Sequence, residues 1–480
     1  MGWFAFVILA LCFSVQTLAN VSRDTHNYDQ FLFNQNTLPP TSTRRRRGKR
    51  TDGAVVVLNG KTIYEKYARG FTPDRIHIMW STSKTVMALL YGVAMQEHKV
   101  RLDQSICDFV AAQKNGQCAI TLRDLLQWSS ALDWNEEYER GNILASSVIN
   151  MLYGAGHRDM AGYVLQHPLE KSVKPGASWR YSSGDSILLS NILQKVFAVS
   201  DLRLVFQKKL FSPLGVTDAV WESDDAGTIG GAFYFYCSAR DLAKIGEVFL
   251  HHGRVNGVQL VAPEFIDFME SAPPSFTMSR PADEHIHHVS GAHIWINKAA
   301  GKPGDPLYVP VSWPYAPSDT VATIGHWGQF LVVIPSMNLI AVRIGDTRDN
   351  SFTINDFVEQ TVNFAQGKPV TVKQLPAATP NSAVHIAGPV HVAASPGLIW
   401  KFKAAPLALG YEAMAACSCL FVTKSSSARC RDFAFVDQIP NVELSIDRNR
   451  HRVRAAIPWL SAIFHETAKL RSPEKGCVLE

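Results

Sequence analysis

Ser81 and Lys84 stand three positions apart in the stretch IMWSTSKTVMALLYGVAMQEHKV, residues 78 to 100, where a helix is expected to begin. Apolar residues recur at Val86, Leu89, Leu90, Val93 and Ala94, the spacing of one buried helical face. Serine and lysine therefore lie about one turn apart, on the same side of the first turn. A serine hydroxyl is a weak nucleophile at neutral pH and needs an adjacent base. Lys84 can be that base if burial and neighbouring cations hold its pKa down. A helix N-terminus also favours a developing oxyanion through its N–H groups and dipole. Taken alone, S-x-x-K is a weak signal. The chain holds a second copy, Ser472 to Lys475, too near the C-terminus to open a helix of useful length.

Two later stretches add to the first. In WRYSSGDSILLSNIL, Tyr181 and Ser183 follow a Pro175-Gly176 turn and directly precede a helical pattern. In TIGHWGQFLVVI, His326, Trp327, Gly328 and Gln329 stand at the start of a strand. Gly328 would let a substrate approach the backbone closely, leaving the Gln329 N–H to point at it. Other candidates are weaker. His285, His287 and His288 lack a second ligand cluster at helical spacing and read as solvated loop residues rather than a metal site. No cofactor is expected. The signatures G-x-S-x-G, H-E-x-x-H and G-x-x-x-x-G-K-[ST] do not occur.

The elements around these residues read as follows. AVVVLNGKTIYEKYA alternates about Asn59-Gly60, a two-residue hairpin signal. Helical periods dominate between about 140 and 260. A second hairpin, GQFLVVIPSMNLIAVRIG, turns at Pro335 to Asn338 and leads to a helix with Ile354, Phe357, Val358 and Val362 on one face. Strands at both ends with helices between them predict an α+β layer fold.

The chain resembles the penicillin-recognising serine hydrolases of the class C β-lactamase type, especially their esterase and 6-aminohexanoate-oligomer hydrolase relatives. The resemblance rests on WSTSK (80–84), LLQWSSALDWNEEY (125–138), PGASWRYSSGDSILLSNIL (175–193), FSPLGVTDAVWESDDAGTIGGAF (211–233), SARDLAKIG (238–246) and GHWGQFLVVIPSMNLIAVRIGD (325–346), in family order. It implies an antiparallel sheet flanked by helices, with a helical lobe and the site between them. It also implies Ser81 as nucleophile, Lys84 as base or relay and Tyr181 as a second proton-transfer group. The oxyanion hole would be the N–H groups of Ser81 and Gln329. His326-Trp327-Gly328 takes the place of the family's Lys-Thr-Gly, and Tyr181-Ser182-Ser183 that of Tyr-x-Asn, so Ser183 replaces an amide that would contact substrate. Histidine offers no permanent cation for a substrate carboxylate. The expectation therefore moves from β-lactam toward ester or linear-amide substrates, with a catalytically inactive ligand-binding member of the same fold as the alternative.

Composition agrees with a globular chain: 480 residues, 46% hydrophobic and 19% charged. The net charge of +5 is local, because removing Arg44 to Arg47, Lys49 and Arg50 from the 47 basic residues leaves 41 against 42 acidic ones. That run predicts a flexible basic leader over 20–50 and gives no reason to expect nucleic acid as a partner. The apolar run from Trp3 to Val15 reads as a signal peptide over 1–19, too short to span a bilayer. No other apolar run approaches 18 residues, so no stable membrane span is expected, and the protein is expected to be exported, periplasmic or secreted. In an oxidising compartment Cys107 and Cys118 can close a short loop, and Cys417, Cys419, Cys430 and Cys477 can form two bridges, leaving Cys237 buried. A zinc site from the last four lacks paired C-x-x-C knuckles. The expected organisation is a hydrolase domain over 51–366, a Pro/Ala-rich linker over 367–398 and a small Cys-containing domain over 399–480 with no catalytic motif and an unknown partner.

Overall fold

The computed structural model describes residues 22–34, 48–138, 143–280, 287–349, 351–372, 398–435 and 442–480. Strands β1 (Thr51–Leu58) and β2 (Lys61–Tyr67) are joined by Asn59 and Gly60, whose φ values of 51° and 70° suit a tight hairpin turn. With β3 (Val289–Ser290), β4 (Trp295–Ile296), β5 (Val321–Gly325), β6 (Gln329–Ile334) and β7 (Leu339–Gly345) they make a seven-stranded sheet, order β2-β1-β7-β6-β5-β4-β3. Every neighbouring pair is antiparallel.

Both faces of the sheet are covered, which is why β6 and β7 read as unbroken apolar runs. Leu331, Val333, Ile340 and Val342 face one core, with helices Thr82–Gln96 and Ala239–Leu250. Phe330, Val332, Leu339 and Ala341 face the other, with helix Ile354–Ala365 and the N-terminal helix Thr25–Phe33. Phe357, Val358 and Val362 fill this second core, as their spacing predicts.

The flexible leader expected over 20–50 is corrected at both ends of the part that is described. Residues Thr25–Phe33 are helical and bury Tyr28, Phe31 and Leu32, with the Tyr28 ring stacked on Phe364. Lys49 is buried, its Nζ donating to the Phe31 carbonyl at 2.9 Å. Arg50 pairs with Asp346 at 3.4 Å and Asp432 at 2.5 Å. These charges have partners inside the fold, so they are not a solvated run. The signal peptide, Arg44 to Arg47 and most of the linker lie outside the described residues.

The C-terminal part is a separate small antiparallel sheet, β8 (Glu443–Asp447), β9 (Arg452–Ala456), β10 (His465–Ser472) and β11 (Gly476–Leu479), packed against helix Leu398–Cys417. Contrary to the sequence reading, Lys403–Val422 is long and apolar enough to cross a membrane. It lies 78% buried in the protein, between the small sheet and helix Ser147–Tyr153, so its apolar surface is already covered. Disulfides join Cys107 to Cys118, Cys417 to Cys477 and Cys419 to Cys430, and Cys237 is free and buried. The second S-x-x-K is the β10–β11 turn, where Ser472 Oγ accepts from the Lys475 N–H at 3.1 Å.

Asp52, fully buried in β1, ties the two parts together. It forms ion pairs with Arg69 Nε at 3.1 Å and Arg429 Nη2 at 2.9 Å and a hydrogen bond with His77 Nε2 at 3.3 Å. Burial alone would raise its carboxyl; the His77 hydrogen bond and the Arg69 and Arg429 charges overcome that and bring it down to about 2. A carboxyl held below its unfolded value stabilises above the unfolded pKa and loses that contribution as pH falls through about 2. Asp52→Ala leaves two guanidinium groups facing each other and is expected to cost about 3–5 kcal/mol. The check is a shift of the denaturant midpoint with unchanged slope; a loss below about 1 kcal/mol would contradict it.

Candidate active site

Ser81 is delivered by a strand, a sharp turn and a helix. Residues His77–Ile78 pair with Phe235–Cys237, and Met79 N–H donates to the Phe235 carbonyl at 2.8 Å. Trp80 then adopts a left-handed φ of 46°, and the helix runs from Thr82 to Gln96. The first-turn N–H groups of Thr82, Ser83 and Lys84 bond back to Met79, Trp80 and Ser81. The Ser81 N–H has no acceptor among the described residues. The helix is pinned to the sheet where Thr82 Oγ1 meets Thr323 Oγ1 at 3.0 Å and the Gln329 carbonyl at 3.3 Å. A Cβ on Gly325 would lie 2.3 Å from the Met79 carbonyl oxygen, so only glycine allows this approach.

Lys84 is 1% exposed, and its Nζ donates to Ser81 Oγ and to the Ala232 carbonyl, both at 3.1 Å. The rings of Phe233 and Tyr181 lie 4.7 Å and 5.0 Å from Nζ. Burial pushes its pKa down to about 7, with the Glu136 carboxylate pulling the other way. Tyr181 is half-buried and holds its ring against Trp128 at 4.6 Å and parallel to Trp295 at 6.2 Å. Thus Ser81, Lys84 and the Tyr181 ring come together.

The sheet side of the cleft is the turn between β5 and β6. His326 is half-buried among the rings of Trp327, Tyr138 and Trp80, at 4.6, 5.8 and 6.0 Å. Gln329 is fully buried, and its side chain fastens the turn: Nε2 donates to His326 O at 2.9 Å and Gly345 O at 2.7 Å.

Two expectations about this region change. Gly328 has a φ of 93°, and a Cβ there would lie 2.0 Å from Arg343 Nη1. The glycine makes room for the guanidinium that donates to its carbonyl at 2.8 Å. Ser183 is fully buried, its hydroxyl donating to Glu136 and its N–H donating to Glu136 Oε2 at 2.9 Å. A hydroxyl engaged in that way is part of the wall, so a direct substrate contact does not follow.

Glu136 was missed in the sequence. Its carboxylate also accepts from Trp134 Nε1 at 2.5 Å and from the Tyr138 hydroxyl. The signal was present in LDWNEEY, where acids alternate with aromatics in a loop after a helix, but no spacing rule links that loop to Ser183. Of the three histidines, His285 lies outside the described residues. His288 is packed on Trp313 at 5.4 Å, and burial lowers its pKa to about 4. It is therefore not a solvated loop residue. No group of His, Cys, Asp or Glu suited to a metal occurs among the described residues.

Comparison with known proteins places the fold and the family. A 6-aminohexanoate-dimer hydrolase from Paenarthrobacter ureafaciens is 25% identical over 230 residues, which is 45% of this chain and 56% of that protein. The chain thus spans little more than half the length of that relative. A solved structure from Bacillus anthracis, described as a candidate 6-aminohexanoate-dimer hydrolase, superposes with a TM-score of 0.52 at 17% identity over 66% of this chain and 78% of its own. One from Bacteroides dorei, described as a candidate beta-lactamase, gives 0.52 at 16% over 66% and 94%. These two show the shared fold. The Beta-lactamase family model matches residues 41–359, two thirds of the sequence, and the chain belongs to that family of serine hydrolases.

Proposed function

We propose that the protein is an exported serine hydrolase that cleaves ester or linear amide bonds of small substrates through an acyl-enzyme. The observation that carries this is the 3.1 Å contact between Lys84 Nζ and Ser81 Oγ at the head of a buried helix. An ordinary surface lysine has no reason to sit 1% exposed over two aromatic rings. With its pKa lowered to about 7, Lys84 is substantially neutral near physiological pH and can accept a proton.

In this reading neutral Lys84 takes the Ser81 proton as Oγ bonds to the substrate carbonyl carbon. The carbonyl oxygen becomes an oxyanion, received by the N–H groups of Ser81 and Gln329. Collapse breaks the bond to the leaving alkoxide or amine, which takes a proton from Lys84 directly or through the Tyr181 hydroxyl. Water then attacks the ester on Ser81 by the same proton path in reverse, releasing the acid and restoring the serine. A catalytically inactive ligand-binding protein would gain nothing from burying an amine against a serine, so the enzyme reading is preferred. Export is supported by the three disulfides, which persist in oxidising compartments. The substrate is the expected small-molecule partner. The amide activity in the name of the Paenarthrobacter relative supports linear amides as one substrate class.

Ser81→Ala is expected to abolish fluorophosphonate labelling and turnover with the fold intact, while Ser472→Ala changes neither. Tyr181→Phe keeps the ring packing and is expected to lower turnover by about two to four orders of magnitude. Near-full activity in the Ser81 variant would refute the assignment.

The labelling rate is expected to follow the neutral fraction of Lys84. It should fall about tenfold per unit as pH drops below about 7 and level off above it, because the amine must be unprotonated to act as base. A rate flat from pH 5 to 8 would remove Lys84 from that role.

Short p-nitrophenyl esters are expected to be better substrates than cephalosporins, because a histidine stands where the family's fixed lysine cation would meet a carboxylate. Efficient nitrocefin turnover at pH 8 would contradict this.

A further inference from the structure

The C-terminal part carries no catalytic motif, yet its helix Ser427–Ala434 ends against the turn that forms one wall of the cleft. Phe433 meets the ring of Trp327 edge-on, centroids 5.9 Å apart. The Arg348 guanidinium lies over that indole at 3.5 Å from its centroid and donates to the Phe433 carbonyl at 2.9 Å. Asp346 fixes Arg348 through Nε at 2.7 Å and also pairs with Arg50, which in turn holds Asp432, the neighbour of Phe433. Beyond Trp327 the contact continues inward. Its ring lies 5.4 Å from Trp80 and 4.6 Å from His326. Trp80 is the left-handed residue that directly precedes Ser81.

We propose that Phe433 and Arg348 are positioning residues for the hydrolytic site, and that the C-terminal part serves as its outer brace. This rests on the reading of the His326–Gln329 turn as the wall that carries the oxyanion N–H. Trp327 has a φ of 61°, a conformation that a bulky side chain holds only when its surroundings fix it. Three surroundings do so: Arg343 and the Thr347 N–H bind its carbonyl from below, and the Phe433–Arg348 pair clamps its ring from outside. The first two belong to the last strand of the main sheet and the segment that directly follows it. The third joins Arg348 of the main body to Phe433, which a segment toward the far end of the sequence supplies; charge pairs at Asp52 and Arg50 and the Arg348 hydrogen bond to the Phe433 carbonyl hold that segment in place in addition to apolar area. Releasing the clamp frees Trp327 and, with it, the turn on which Gln329 is mounted.

The test uses the full chain with Phe433→Ala, Phe433→Tyr and Arg348→Gln, each first shown to be folded by thermal melting. Amide exchange over 325–331 and the fluorophosphonate acylation rate per folded molecule are then measured. Phe433→Ala and Arg348→Gln should speed exchange across the turn at least about tenfold while helix Thr82–Gln96 stays protected. They should slow acylation roughly ten- to a hundredfold, in its limiting rate at saturating probe rather than in the half-saturating probe concentration, because the oxyanion contact is made in the transition state. Phe433→Tyr keeps the ring and should restore both. Exchange and acylation within about twofold of the parent in both disruptive variants overturn the proposal, as does a loss of activity that tracks only the unfolded fraction. If Phe433→Ala does not fold, Arg348→Gln decides. A parent that never labels at Ser81 disproves the hydrolase reading instead, and the exchange measurement still decides whether the clamp holds the turn.

Discussion

An amine buried beside a serine is the constraint around which the rest of the chain is arranged. A lysine taken out of water resists protonation, and it stays in place only if its hydrogen atoms and stem find partners. Lys84 finds Ser81 Oγ and the Ala232 carbonyl as acceptors, and the faces of Phe233 and Tyr181 as its walls. They come from three separate segments, around 81, 181 and 232–233, that the fold brings together. Glu136 adds a single acidic group at longer range and opposes the effect of burial. Its oxygens accept from four donors of Trp134, Tyr138 and Ser183.

The sheet sets the second half of the geometry. Strands β5 and β6 run under the start of the Ser81 helix, and Gly325 lets the Met79 carbonyl sit against the sheet. The turn that follows is held from within by Gln329, whose amide spans His326 and Gly345, and from beneath by Arg343. Arg343 is itself fully buried and is satisfied by Thr51, Thr347 and two carbonyls of the turn. Removing a charge from water in this way is tolerated because each guanidinium proton has a neutral oxygen to meet. The cleft wall therefore stands on a polar layer, whereas the helix side stands on an apolar one.

Local patterns in the sequence carried the parts of this arrangement that depend on short spacing. Asn59-Gly60, the 3.6-residue stripe after Ser81 and the apolar runs at 329–345 each have a nearby physical cause, and each element forms where that cause puts it. Pairings across long distances were not legible. Nothing near Ser183 announces that its hydroxyl turns to Glu136, 47 positions away. Nothing near Gly328 announces the Arg343 guanidinium from β7 that its missing Cβ makes room for. The last two charges of the basic run were misread for the same reason. Lys49 and Arg50 look solvated in sequence, but Phe31, Asp346 and Asp432, which receive them, are distant. Charge composition describes how many partners a run needs, and only the fold supplies them.

The small C-terminal sheet poses the converse problem, because its own core is too slight to be self-sufficient. Cys417–Cys477 and Cys419–Cys430 tie its pieces together, and helix Leu398–Cys417 shares its apolar surface with the main body. Specific orientation comes from two buried acids of the main body. Asp52 receives Arg429, and Glu222 accepts from Ser418 Oγ at 2.7 Å and Cys477 N–H at 2.8 Å. These acids behave differently. Asp52 faces cations and stays ionised, whereas burial among neutral donors raises Glu222 to about 7. Apolar contact is non-directional and would tolerate sliding of one part on the other, while a carboxylate fixed between named donors does not. The acids thus convert a greasy seam into a single register, and in that register Phe433 faces Trp327 at the edge of the cleft.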